Sequence, residues 1–68
     1  MSFCVIIEYF RTDLEEDFMV VSKGWVSLDV ARRQCQRIKR KLGNRHNVIV
    51  GPWRIEDANE NAVARCRA

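Results

Sequence analysis

The sequence predicts an α+β fold: a three-stranded antiparallel sheet in the order 2-1-3, connected β-β-α-β, with one amphipathic helix packed on one face. Three observations predict it. A run of β-branched and aromatic residues without a breaker, FCVIIEYFR, occupies residues 3–11. A second apolar run, DFMVVSK, follows it across a polar, acidic connection. Residues 27–43, SLDVARRQCQRIKRKLG, then change period: Leu28, Ala31, Cys35, Ile38 and Leu42 recur at steps of three and four, the spacing of one helix face.

In the first strand Phe3, Val5, Ile7 and Tyr9 alternate onto one face, and Cys4, Ile6, Glu8 and Phe10 onto the other. A strand apolar on both faces belongs in the middle of its sheet. Residues 12–16 form a hairpin loop. In the second strand, residues 17–23, Phe18 and Val20 share one face and Met19 and Val21 the other, and Gly24 ends the run.

Ser27 has the chemistry of a helix N-cap, its hydroxyl accepting from an amide left free in the first turn. Asp29 suits the positive end of the helix dipole, and Lys39, Arg40 and Lys41 the negative end. Gly43 fits a left-handed C′ position. After a polar loop, residues 48–50 give a third strand. It is interrupted at Gly51-Pro52, and residues 53–55 continue it past a bulge or make a fourth short strand. Proline lacks the ladder donor, which puts this strand at an edge. In the tail, residues 57–68, Asp57 precedes Glu60 by three positions, as in a capping box. The segment adds a short helix over residues 58–66 or an extra strand, or frays, since a helix of roughly ten residues is marginal without packing. A right-handed return through the helix sets the third strand beside the first. The sheet face away from the helix then shows Cys4, Ile6, Phe10, Met19 and Val21, and needs cover from the C-terminal segment or a second subunit.

Composition narrows the function. Sixty-eight residues make one domain, residues 1–68, close to the lower size limit for a self-sufficient core. A hydrophobic fraction of 47% argues against disorder. No apolar run approaches the roughly 20 residues of a bilayer span, and no secretory signal pattern opens the chain. Cys4, Cys35 and Cys66 contain no close pair, which fits free thiols in a reducing cytoplasm. A zinc site built from them with His46 lacks the usual C-x-x-C knuckle. No phosphate-binding glycine loop, nucleophile elbow or metalloprotease motif is present, so neither catalysis nor a cofactor is expected.

The formal charge of +3 is unevenly spread. In residues 1–22 Arg11 stands against Glu8, Asp13, Glu15, Glu16 and Asp17, whereas residues 23–54 hold nine Lys or Arg against Asp29 alone. A segregated basic half points to an anionic partner, and mutual neutralisation within the fold is the bland alternative. Arg33, Arg37 and Arg40 lie opposite the apolar stripe, flanked by Arg32, Gln36 and Lys39. Along a helix of about 22 Å, such a row could meet successive phosphates or carboxylates bidentately. The expected contact set is Arg32, Arg33, Arg37, Lys39, Arg40, Lys41, Arg45, Trp53 and Arg54, the indole offering a stacking surface beside the arginines. For both Trp25 and Trp53 a place in the core is the simpler assignment.

The stretches VIIEYF, DFMVV, SLDVARRQCQRIKRK and NVIVGPWRIED together resemble, in size and order, small phage-encoded β-β-α-β proteins, some of them anti-CRISPR proteins. The resemblance implies a non-catalytic inhibitor in the host cytoplasm that docks on a host protein or nucleoprotein assembly, such as a crRNA-guided surveillance complex, and obstructs target nucleic acid. Many anti-CRISPR proteins are acidic DNA mimics, a pattern from which the basic helix departs. The competing expectations are a DNA- or RNA-binding module using the same helix, and a structural homo-oligomer joined through the free sheet face.

Overall fold

A computed structural model of the chain describes residues 2–66. Its elements are β1 (Phe3–Arg11), β2 (Glu16–Trp25), α1 (Leu28–Gly43), β3 (Val48–Glu56) and β4 (Ala62–Arg65). The strands form one antiparallel sheet in the order β2-β1-β3-β4. The α+β class and the 2-1-3 core of the sheet are as expected, and a fourth strand extends it.

β1 is central, as its two apolar faces require. Val5, Ile7 and Ile55 are fully buried on one side of the sheet against Ala31, Cys35 and Leu42 of α1. Leu28 and Ile38 complete the helix stripe at the margin of this core, with Phe3, Tyr9, Val20, Trp25, Val48, Val50, Trp53 and Ala64 around it. The stripe predicted from spacing is thus the stripe that packs. Tyr9 and Phe18, paired across β1 and β2, stack with ring centroids 5.5 Å apart.

Two bulges set which side chains reach the core. Phe3 pairs with Trp25 but Val5 with Ser22, so Lys23 and Gly24 together face Cys4. Gly24 takes φ +87°, a left-handed value open to glycine without strain. It therefore kinks β2 rather than ending it, and carries Trp25 onto the core face, where the indole N–H donates to Ser22 Oγ at 3.0 Å. The second bulge lies between β1 and β3: Ile7 pairs with Trp53 and Tyr9 with Val50, leaving Gly51 and Pro52 opposite Glu8. A Cβ on Gly51 would lie 3.2 Å from the Glu8 carbonyl oxygen, a tight contact that a larger residue could make only by a small shift of the β1 backbone, so glycine suits the close approach.

The C-terminal segment corrects two expectations. Residues 58–66 are not helical; Arg67 and Ala68 lie outside the described residues. Asp57 caps a hairpin turn: its Oδ1 accepts from the amides of Asn59 and Asn61, its carbonyl accepts from Glu60 N–H, and its own N–H donates to the Asn61 carbonyl. Glu60 takes φ 64°, the left-handed position of a short hairpin loop. The capping-box spacing was a turn signal, because a carboxylate serves free amides equally well in either setting. β4 then pairs with Arg54, Ile55 and Glu56, so β3 is internal rather than an edge. Pro52 is accommodated because the pairing ends at Trp53, whose carbonyl accepts from Cys66 N–H at 3.0 Å. The segment therefore widens the sheet, and its turn, through Asp57, Ala58 and Glu60, lines with Cys4, Ile6 and Val21 an open cavity of about 250 Å³ at one end of the far face. Ile6, expected to show on that face, is buried, while Met19, Val21 and Ile49 stay exposed.

Gly43 is also corrected. It is the last helical residue, and Asn44 caps the helix in a right-handed conformation (φ −80°). The final carbonyls are used by successive turns instead: Asn44 N–H donates to Arg40 O and Arg45 N–H to Leu42 O, both at 3.1 Å. No left-handed residue is needed.

Replacing Ile55 by alanine should cost about 2–5 kcal/mol, comparable to the whole stability of a domain this small. Urea denaturation followed by circular dichroism should find the variant largely unfolded at 25 °C, with Val63→Ala close to wild type.

Candidate functional site

The outer layer of the molecule is built by α1. Ser27 starts the helix, its Oγ accepting from Val30 N–H at 3.2 Å. With Ala31, Cys35 and Leu42 buried, the 3.6-residue period turns Arg33, Arg37 and Arg40 away from the sheet. Arg32, Arg33, Gln36, Arg37, Arg40 and Lys41 are all exposed. The described residues hold two ion pairs, Arg11 with Asp13 and Arg54 with Glu56, and neither involves a helix cation. No ion pair among the described residues therefore joins the acidic half to a helix cation. Asp29, in the first turn, is the one acid on α1; the others are Glu8 in β1, Asp13, Glu15, Glu16 and Asp17 around the β1–β2 hairpin tip, and Glu56, Asp57 and Glu60 at the β3–β4 turn.

Lys39 differs from its neighbours. It is half-buried, and its ammonium sits over the Trp53 ring, 5.5 Å from the centroid. Trp53 is itself half-buried and packs on the core. The pair seals the seam between α1 and β3, so Trp53 is a structural indole carrying a cation rather than a free stacking platform. Trp25 is likewise part of the core.

Arg45 extends the basic surface past the helix end. With Arg11, Asn44, His46, Asn47 and Val48 it lines an open cavity of about 380 Å³. In the sequence Asn44 and His46 read only as polar loop residues and Asn47 as the lead-in to the third strand. They become neighbours of Arg11 because Thr12 N–H donates to the Asn47 carbonyl at 3.0 Å, fastening the hairpin to this loop.

Arg54 does not belong to the same surface. Trp53 and Ile55 face the helix, so the intervening Arg54 points to the opposite side of the sheet. There its Nε donates to Glu56 at 2.8 Å, which raises its already high pKa. The expected contact set is thus divided. Arg32, Arg33, Arg37, Arg40, Lys41 and Arg45 form one basic surface, Lys39 and Trp53 sit at its inner edge, and Arg54 lies across the sheet.

The cysteines are scattered: Cys35 in the core, Cys4 half-buried on the free sheet face, and Cys66 at the end of β4, where its Sγ accepts from Trp53 N–H at 3.3 Å. Among the described residues no group of three or more His, Cys, Asp and Glu is placed to hold a metal. Burial pushes the Cys35 thiol pKa up, with nearby Lys39 partly opposing and Cys66 adding to the rise. No helix among the described residues is long and apolar enough to cross a membrane. Compared with known proteins, the chain matches no family model, no curated protein and no solved structure.

Two outcomes follow from this geometry. Lys39→Ala should lower stability by about 0.5–1 kcal/mol and alter Trp53 fluorescence, whereas Arg33→Ala and Arg37→Ala should stay within about 0.5 kcal/mol of wild type. Because the folded state raises the Cys35 pKa, the unfolded chain releases that proton first as pH rises. The contribution is fully present below the ordinary thiol range, about pH 8.5, and is lost as pH climbs through the folded value. Denaturation midpoints measured between neutral and alkaline pH should fall less steeply in Cys35→Ala than in wild type.

Proposed function

We propose that this protein is a non-enzymatic binding protein that docks through the outer face of α1 on an anionic surface of a larger protein or nucleoprotein assembly. The observation that carries this reading is the row of Arg33, Arg37 and Arg40, with Arg32, Lys41 and Arg45 beside it, exposed and free of ion pairs among the described residues. Apart from Asp29 at the start of the helix, four residues before Arg33, no acid stands among these cations, so Arg37, Arg40 and Lys41 forgo the pairing that helices use to support themselves. An external anion supplies what the fold leaves out. Guanidinium forks suit phosphates and carboxylates alike.

The resemblance of the sequence to small phage-encoded β-β-α-β inhibitors of the anti-CRISPR kind, from whose order β4 departs, makes a crRNA-guided complex the first assembly to test, with the cytoplasm as the compartment. Such an inhibitor would act by occupying ground that target nucleic acid needs. The nucleic-acid alternative uses the same face: about six phosphate contacts give a log–log salt slope near −5. The helix lacks an evident base-reading set, so direct binding of this kind would be independent of base sequence.

The decisive variant is Arg33→Glu/Arg37→Glu/Arg40→Glu. All three positions are exposed, so circular dichroism should match wild type, with a stability change within about 1 kcal/mol. Affinity capture with wild type should retain a stoichiometric partner that the triple variant loses. Capture by both proteins alike would move the contact surface off the helix.

A further inference from the structure

The sheet has a second, chemically different surface. On the side away from α1 lie Cys4, Ile6 (buried), Glu8 and Phe10 of β1, Asp17, Met19, Val21 and Lys23 of β2, Ile49, Arg54 and Glu56 of β3, and Arg65 of β4, by register and alternation, with Val63, unpaired at the β4 register shift, placed there by alternation from Ala64. Met19, Val21, Ile49 and Val63 are 54%, 49%, 59% and 40% exposed, and they are four of the six large hydrophobic residues exposed in the described chain. The two others, Leu14 and Val26, lie in connections off the sheet. An apolar concentration of this kind on one sheet face calls for cover.

Charge decides what the cover is. Asp17, Glu8 and Glu56 balance Lys23, Arg54 and Arg65, so this face is neutral although the chain carries +3. It offers an anionic partner nothing that the helix face does not offer better. A second copy meets no net repulsion there. Arg54 and Arg65 are direct cross-strand neighbours, like charges on one face, and Glu56 pairs with Arg54 alone. Neither Glu8 nor Arg65 has an ion-pair partner among the described residues, although they share the rim of one shallow cavity of about 220 Å³. In a two-fold contact each unpaired group occurs twice, so an opposing Glu8 can serve Arg65 reciprocally.

Size and long-range charge agree. The longer extents of the molecule, 38 and 21 Å, set an upper limit of about 800 Å² on a planar footprint, which leaves room for a contact up to the standard size per partner. With layers about 10 Å apart, the two helices of a face-to-face pair would be roughly 30 Å from each other, several Debye lengths at physiological salt. The two cationic layers therefore do not oppose association.

We infer that the free sheet face is the interface of a two-fold homodimer, in which two four-stranded sheets stack and the basic helices form the two outer surfaces. The pair is then bivalent for an anionic partner. Light scattering coupled to size exclusion, over micromolar to near-millimolar protein, should give twice the chain mass of 8.0 kDa. Met19→Lys/Ile49→Lys changes only exposed positions and should weaken association at least tenfold while leaving the circular dichroism spectrum intact. Arg33→Glu/Arg37→Glu/Arg40→Glu should remain dimeric, which separates this interface from the helix surface. A monomer at every concentration, open-ended oligomers, or a dimer indifferent to Met19→Lys/Ile49→Lys would each overturn the inference.

Discussion

The structure depends on the burial of β1 between two strands and a helix. Its backbone is used on both edges by β2 and β3, and Val5 and Ile7 are closed off by Ala31, Cys35 and Ile55. A chain this short has few side chains with which to exclude water, and these, with Leu42, form the buried core cluster of the described residues. Every other placement is measured from that strand. The hairpin sets β2, the helix stripe sets the rotation of α1, and the bulge at Gly51-Pro52 lets β3 keep Trp53 and Ile55 facing inwards.

Fixing the helix stripe inwards has a direct electrostatic result. A 3.6-residue period with its apolar side committed to the sheet leaves Arg33, Arg37 and Arg40 on the outside, and none of the acidic loops folds over them. Lys39 shows how local the distinction is. One position round the helix, the same kind of cation is spent on covering Trp53. The sheet separates this surface from a face whose charges cancel and which carries Met19, Val21, Ile49 and Val63 exposed among them. Two surfaces of different chemistry, back to back in one thin molecule, suit two different contacts.

Much of this was legible in the residues. Periodicity marked the helix and its buried stripe, because one face had to be apolar for a single helix to pack on a single sheet. Two-sided apolarity marked β1 as central. The C-terminal strand was harder: Asp57 and Glu60 carry a helix-start spacing, and only the pairing of Ala62–Arg65 with β3 shows that Asp57 closes a turn. Arg54 was drawn into the basic set by its nearness in sequence to Trp53, yet adjacent strand residues face opposite ways. The gathering of Arg11, Arg45 and His46 around one cavity was not readable, since it depends on the Thr12–Asn47 hydrogen bond between segments distant in the chain.

The central claim is that the outer face of α1 is the contact surface for anions. Nuclear magnetic resonance titration of ¹⁵N-labelled protein with a short RNA duplex at low salt tests it residue by residue. The account predicts that the largest amide shift changes fall at Arg32, Arg33, Gln36, Arg37, Arg40 and Arg45, with residues 13–17 and Met19, Val21 and Ile49 unmoved. Absence of binding at low salt, or largest changes on the hairpin tip or the free sheet face, would contradict it.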